Sequence, residues 1–199
     1  MKTTPASDER QQHILNAAIA CFIAKGFHAT SMRDIAREAD VSLGNLYTYF
    51  AGKQELIAQV AVLEQEEILP LVSALNALFE PDIATLSAIL NHYLSLCRQP
   101  EWAVLAAECV AEIARTPALV PVFEDNRLLL LNALAAVIQR GITAKRFSTT
   151  LAPVMLAQIL IDGIEADALR AVISPSTPTA CAILSQATLQ SLLGASGHA

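Results

Sequence analysis

The chain is short of charge, of aromatic rings and of glycine, and each shortage narrows what it can be. Only 16% of its 199 residues are charged and 54% are hydrophobic, with mean hydropathy +0.45. A chain with so much apolar surface does not stay unfolded in water, so disorder is excluded. Aromatic residues make up 5%, so the surface to be hidden is mostly aliphatic. Long apolar runs are also missing. The longest charge-free helical stretches, 83–97 and 147–161, carry Ser, Thr, Asn or His, and at about fifteen residues they fall short of the roughly 20 a membrane span needs. The N-terminal MKTTPASDERQQH has no apolar segment of the secretory kind. The expectation is a cytoplasmic protein that does not enter a membrane.

Chemistry-bearing motifs are equally scarce. Cys21, Cys97, Cys109 and Cys181 are scattered through apolar helical stretches and never form CxxC. Buried free thiols are expected, not a disulfide framework or a metal site. None of His13, His28, His92 or His198 follows an acid by three residues, as a di-metal helical bundle would require, and no cluster has zinc spacing. No GxSxG elbow or phosphate-binding GxxxxGK(S/T) loop appears. The sequence therefore predicts no enzyme, no metal and no cofactor.

The net charge of −6 argues against nucleic acid until it is divided along the chain. Residues 1–53 hold six Lys/Arg against five Asp/Glu, a balance of +1, and residues 54–199 carry −7. An N-terminal segment of this kind binds DNA only through the placement of a few cations and hydrogen-bonding groups.

The predicted elements are all helical. Ser7 is placed to cap a first helix, whose Ile14, Ala17, Ala18, Cys21 and Phe22 share one face, with Gly26 as its stop. Ser31-Met-Arg-Asp34 is a capping-box-like start for a two-turn helix burying Ile35, Ala36 and Ala39, and Ser42 caps the next. Further helices are expected over 53–80, 81–98, 101–116, from Pro117 or Pro121 to Gly141, 148–173 and 178–193. The chain is thus all-α, about nine helices, with a three-helix helix-turn-helix head and a larger helical body. The expected division is 1–53, 54–194 and a short flexible tail, 195–199.

One stretch does not suit a plain soluble helix. In VSLGNLYTYFAGKQEL, residues 41–56, Val41, Leu46 and Phe50 can point inward, which leaves Leu43, Gly44, Asn45, Tyr47, Thr48 and Tyr49 facing outward. Two short helices joined by a tight turn and braced by a third form a helix-turn-helix, and a major groove about 12 Å wide admits the second of them.

Residues 14–60, ILNAAIACFIAKGFHATSMRDIAREADVSLGNLYTYFAGKQELIAQV, resemble the DNA-binding head of the TetR family of bacterial transcriptional regulators. They carry its G-(F/Y)-x-x-(T/A)-(S/T), I-A-x-x-A-x-V-S and L-Y-x-Y-F-x-x-K-x-x-L patterns. The resemblance implies that Met32 and Arg33 touch DNA, with Ser31 capping and bonding a phosphate, and that Ser42, Leu43, Gly44 and Asn45 lead the recognition helix. It places Tyr47 and Tyr49 on the sugar-phosphate backbone, with Thr48 between them, and Lys53 on a phosphate. Leu43 and Gly44 carry no polar side chain, so direct readout must lean on Arg33, Asn45 and Thr48.

For the body, the resemblance implies a homodimer through the last two helices, a near-palindromic double-stranded operator, and a small-molecule effector that releases DNA, with repression as the family habit. Tyr93, Trp102, Phe123, Asn126 and Gln158 are the candidate pocket residues, as polar or aromatic groups within apolar helices. Asp162 and Glu165 favour a cationic ligand if they face inward. Glu108 and Glu112 share a face with Glu101 and Arg115, and Arg115 is spaced to pair with Glu112, so a solvated face is expected there. The alternative reading is a helical ligand-binding or protein-interaction module that no longer binds DNA.

Overall fold

The computed structural model describes residues 5–174 and 181–194. Among these residues there are nine α-helices and no strand: α1 (Pro5–Lys25), α2 (Met32–Glu38), α3 (Leu43–Tyr49), α4 (Lys53–Ala77), α5 (Ile83–Cys97), α6 (Pro100–Ile113), α7 (Val120–Thr143), α8 (Pro153–Ile173) and α9 (Gln186–Leu193). No helix among them is long and apolar enough to cross a membrane. The chain divides into two compact units. The first comprises Met1–Leu63 and Val104–Phe123, and the second Glu64–Ala103 and Glu124–Ala199.

The first unit is organised around the apolar face of α1. Ile14, Ala18 and Phe22 are buried with Ile35 and Ala39 of the α2 segment, Leu46 and Phe50 of the α3 segment, and Leu56 and Ile57 of α4. Gly26, at φ +81°, ends α1 with its N–H on the Phe22 carbonyl at 2.8 Å. The buried Thr30 hydroxyl lies 2.8 Å from the Gly26 carbonyl and 3.1 Å from that of Cys21, which folds the connection back onto the end of α1. The α2–α3 turn is a Schellman motif: Val41 N–H reaches the Ala36 carbonyl (2.9 Å) and Asp40 N–H that of Arg37 (3.3 Å), with Asp40 left-handed at φ 48°. Aspartate is one of the few non-glycine residues that tolerates this conformation. Nε2 of His13 lies 2.9 Å from the Ala39 carbonyl, fastening α1 to the end of α2.

The second unit has one continuous core. It is built from Leu71 and Leu75 of α4, Leu86, Leu90 and Leu94 of α5, Leu134 and Ile138 of α7, Leu156, Leu160 and Ile164 of α8, and Leu189 and Leu193 of α9. Arg140 donates to the Leu75 and Leu78 carbonyls at 2.6 and 3.1 Å, satisfying the C-terminal end of α4. Ser148 N–H closes onto the Leu193 carbonyl at 2.7 Å.

Several helix ends differ from those predicted. α1 begins at Pro5, ahead of Ser7. α5 is capped by Asp82, whose Oδ1 accepts from Thr85 N–H, so Pro81 precedes the helix. α4 runs through Pro70 as expected but ends at Ala77, three residues short of the predicted end. α7 runs past Gly141, because that glycine is a packing position: a Cβ there would lie 2.1 Å from the Phe147 ring. α8 starts five residues late, at Pro153, a residue suited to the first helical turn. α9 starts at Gln186 behind the cap of Ser185, after a single 3₁₀ turn at Ala182–Leu184. The predicted start at 178 and the predicted tail, 195–199, lie outside the described residues.

Gly141→Ala tests the packing directly. The gain in helix propensity is about 1 kcal/mol, but overpacking against a buried ring costs about 1–3 kcal/mol. A net loss of up to about 2 kcal/mol is expected in urea unfolding.

Candidate nucleic-acid interface

The outward face of the helix-turn-helix is set by caps and by two buried anchors. Ser31 and Asp34 form a complete capping box at the start of α2: Ser31 Oγ accepts from Asp34 N–H at 3.1 Å, and Asp34 accepts from Ser31 N–H at 3.0 Å. The hydrogen bonds from Ser31 and from Lys25 hold the Asp34 carboxyl well below the usual carboxylate range. Asp34 also pairs with Lys25 (3.3 Å) and Arg37 (2.7 Å), which leaves the exposed Arg33 without an ion pair or hydrogen bond among the described residues. Met32 is half-buried beside it.

Ser42 caps α3 by accepting from Asn45 N–H at 3.1 Å. Leu46 and Phe50 are 0% and 1% exposed and fix which way the helix faces. Gly44, Tyr47 and Thr48 are then exposed, and Leu43, Asn45 and Tyr49 half-buried. The Thr48 hydroxyl donates to the Asn45 carbonyl at 2.5 Å. Oδ1 of Asn45 is shielded and has no hydrogen-bond partner. Around Gly44 a Cβ would meet nothing within 4 Å, so nothing inside the chain requires glycine in that helical position.

Lys53 opens α4, but its side chain turns onto the α1–α2 connection. Nζ donates to the Phe27 carbonyl at 2.7 Å and sits 4.3 Å from the centroid of the Phe27 ring. The same connection is held by α6, where the expected solvated face of Glu108 and Glu112 is overturned. Glu108 Oε2 accepts from Phe27 N–H at 2.7 Å. Glu112 is buried, accepts from the Thr116 hydroxyl at 2.7 Å, and lies 3.4 Å from His28 Nε2. Arg115 turns away from Glu112 to the Ala111 carbonyl. The physical reason is that the chain after Gly26 leaves a peptide N–H without a helical partner, and a carboxylate on α6 supplies the acceptor. An acceptor 81 residues distant in sequence has no local signature.

Of the candidate pocket residues, Tyr93 and Asn126 lie in one polar group within the second unit. Tyr93 Oη donates to Glu165 at 2.8 Å, Arg127 bridges Glu165 (3.1 Å) and Asp162, and Asn126 donates to Glu64 Oε2 at 2.9 Å. Glu165 therefore turns inward and Asp162 lies at the exposed end of the bridge, and Arg127 supplies the cation those acids call for. Burial raises the Glu165 and Glu64 carboxyls, against the hydrogen bonds from Tyr93 and Asn126 that lower them. Burial likewise pushes the Cys97 thiol up to about 12 and the Tyr93 phenol well above its ordinary value. Trp102 is half-buried in the second unit, Phe123 is half-buried in the first, and Gln158 is exposed. Sequence reasoning missed Glu64, Cys97 and Arg127. The one available signal was the Tyr93/Cys97 spacing of four residues, which puts both side chains on one helix face.

The geometry defines a helix-turn-helix protein with a helical body. Residues 14–60 match the family model for bacterial regulatory proteins of the tetR family. The HTH-type transcriptional regulator AcrR of Shigella flexneri is 34% identical over 94 residues, which span 47% of this chain and 44% of that relative. The match thus covers less than half of that relative's length. The HTH-type transcriptional regulator UidR of Escherichia coli K12 is 27% identical over 152 residues, 75% of this chain and 74% of that protein. A solved structure of a putative TetR-family transcriptional regulator from Mesorhizobium loti superposes with a TM-score of 0.75 at 22% identity, covering 96% of this chain and 98% of that one, a likeness of fold. Residues 14–60 are thus a DNA-binding head of the tetR-family kind, and the chain as a whole has the fold of the solved TetR-family structure.

The half-buried Glu64 makes a pH-dependent prediction. Its folded carboxyl is raised above the ordinary value, so between the two values the folded chain holds a proton that the unfolded chain has lost. Stability therefore falls as pH rises through that window. Glu64→Gln keeps an acceptor for Asn126 and removes the charge. It should raise the thermal midpoint by about 1–3 °C at pH 8, an advantage that shrinks as pH falls toward the ordinary carboxyl range.

Proposed function

We propose that the protein is a transcriptional regulator, acting as a repressor, that binds a near-palindromic operator as a homodimer and is released by a small molecule bound in its body. The observation that carries this reading is the outward face of α3. A glycine with open space around it, a shielded amide oxygen with no partner and an exposed tyrosine serve no purpose in the fold, and together suit close approach to a polar surface. In this reading Arg33, Asn45 and Thr48 read base edges in the major groove, with Met32 and Leu43 in apolar contact. Ser31, Ser42, Tyr47, Tyr49 and Lys53 bind the sugar-phosphate backbone, and Gly44 lets the helix come close. Rotation of the Asn45 amide toward a base would give its oxygen the donor it lacks.

The homodimer forms through α8 and α9. Supporting it, Met155, Ile159, Asp162, Ala166, Leu169 and Ile173 follow alternating steps of four and three along α8, and all are exposed. That is the spacing of a helix–helix seam. The functional division is 1–53 for DNA, 54–194 for ligand and dimer, and 195–199 as tail, in a cytoplasmic setting. Tyr93 and Asn126, with the polar group around them, are the strongest candidates to meet the effector; Trp102, Phe123 and Gln158 are the others.

Selection of bound fragments from a random DNA pool at near-physiological salt tests the reading. An enriched inverted repeat is expected. A folded dimer that enriches nothing would instead support a ligand-binding or interaction module without DNA affinity. On the selected fragment, Gly44→Ala should stabilise the fold by about 0.5–1 kcal/mol and weaken binding roughly tenfold, read by unfolding and by fluorescence anisotropy. Asn45→Ala should relax preference at particular bases, whereas loss of a phosphate contact weakens all sequences alike.

A further inference from the structure

The α1–α2 connection is held to α6 at two successive residues, and the two holds differ in kind. Glu108 Oε2 accepts from Phe27 N–H at 2.7 Å, a bond to a peptide group that carries no charge. One turn later on α6, Glu112 Oε2 lies 3.4 Å from Nε2 of His28. This carboxylate is 5% exposed; Oε1 accepts from the Thr116 hydroxyl at 2.7 Å, and Oε2 has no hydrogen-bond partner. The His28 side chain is 66% exposed, and its ring meets the buried Phe27 ring edge-on, with centroids 5.6 Å apart. A dry acceptor that lacks a donor thus sits beside a wet ring that can take up a proton. An acceptor left unmade in a dry place is costly, and a bond between charged partners is stronger than one between neutral groups. The other charged groups around the connection are engaged elsewhere. Lys53 of α4 is on the Phe27 carbonyl, Lys25 and Arg37 are on Asp34, and Arg115 is on the Ala111 carbonyl. Among the described residues, Glu112 is the one charged group in contact with His28.

We propose that His28 and Glu112 form a proton-dependent clasp, which fastens the α1–α2 connection to α6 when the imidazole is charged and leaves the Glu108 bond to hold it when the imidazole is neutral. Histidine is the side chain that changes charge between about pH 5 and 8. A proton that completes this contact is held more tightly by the folded chain than by the unfolded one. The clasp's stabilisation is therefore present below that range and lost as pH rises through it. Ser31, which caps α2, follows on the same connection, so the clasp also steadies the entry to the helix that carries Met32 and Arg33. The effect on DNA rests on the DNA-binding function above: a fastened connection presents α2 already in place, and binding tightens as pH falls.

The experiment reads the proton affinity of His28 from its ring C–H resonances by NMR, assigned by their loss in His28→Gln, and DNA binding by fluorescence anisotropy. Glu112→Gln should lower that proton affinity about threefold. The parent should bind the selected operator fragment roughly twofold more tightly at about pH 6 than at about pH 8, measured relative to His28→Gln. In Glu112→Gln, whose His28 still gains its charge, this pH effect should disappear. If Glu112→Gln impairs folding, Glu112→Asp, which draws the carboxylate back along the side chain, should lower the proton affinity in its place. A proton affinity that is unchanged or raised by these substitutions overturns the proposal. So does a pH effect on DNA binding that persists in Glu112→Gln, because the imidazolium then acts on DNA directly. Both results leave the DNA-binding function standing. Parent protein that binds no selected fragment overturns that function itself, and the titration still decides the clasp.

Discussion

The seating of Leu46 and Phe50 is the constraint from which the head takes its form. A seven-residue helix has no stability of its own, so α3 exists because these two side chains are withdrawn from water and the helix packs on α2. Their position fixes the helix rotation, and the rotation decides what faces outward. The Schellman turn and the Ser42 cap set the approach of α3 to α2, and His13 ties the end of α2 to α1. A small error in the depth or rotation of α3 would displace every outward side chain at once.

Much of this was legible because the head is built from local signals. The caps at Ser31 and Ser42, the break at Gly26 and the buried faces of α1 and α2 all lie within a few residues of the groups they satisfy. The body was less so. Gly141 looked like a helix stop and is a packing glycine, since its neighbour Phe147 lies in the chain beyond the helix end. Ser148 looked like the start of a helix, and its N–H is spent on the Leu193 carbonyl. Glu108 and Glu112 looked solvated because helical spacing offered Arg115 as a partner. Their actual partners lie on the α1–α2 connection, and no periodicity reports a contact between segments so far apart.

Ionisable groups inside the second unit follow a consistent rule. Glu165 is offset by Tyr93 and Arg127, Asp167 by Arg98 at 2.9 Å, and Glu64 by a neutral amide alone. Glu64 is thus the least compensated of the three, and the shared field of Glu165 adds to its discomfort. Half-buried charge of this kind lowers stability relative to an apolar interior, and it gives the body a polar centre that an effector can exploit. The cost is concentrated where the proposed ligand function lies, and the aliphatic core of α5, α7, α8 and α9 carries the fold.

In the proposed function the seated α3 presents its outer face to a major groove. Methylation interference at guanine N7, on a fragment the protein binds, tests it most directly, because N7 lies in that groove. Two clusters of interfering guanines about one helical turn apart are expected, with the pattern within each cluster altered by Asn45→Ala. Binding that is indifferent to N7 methylation would contradict it.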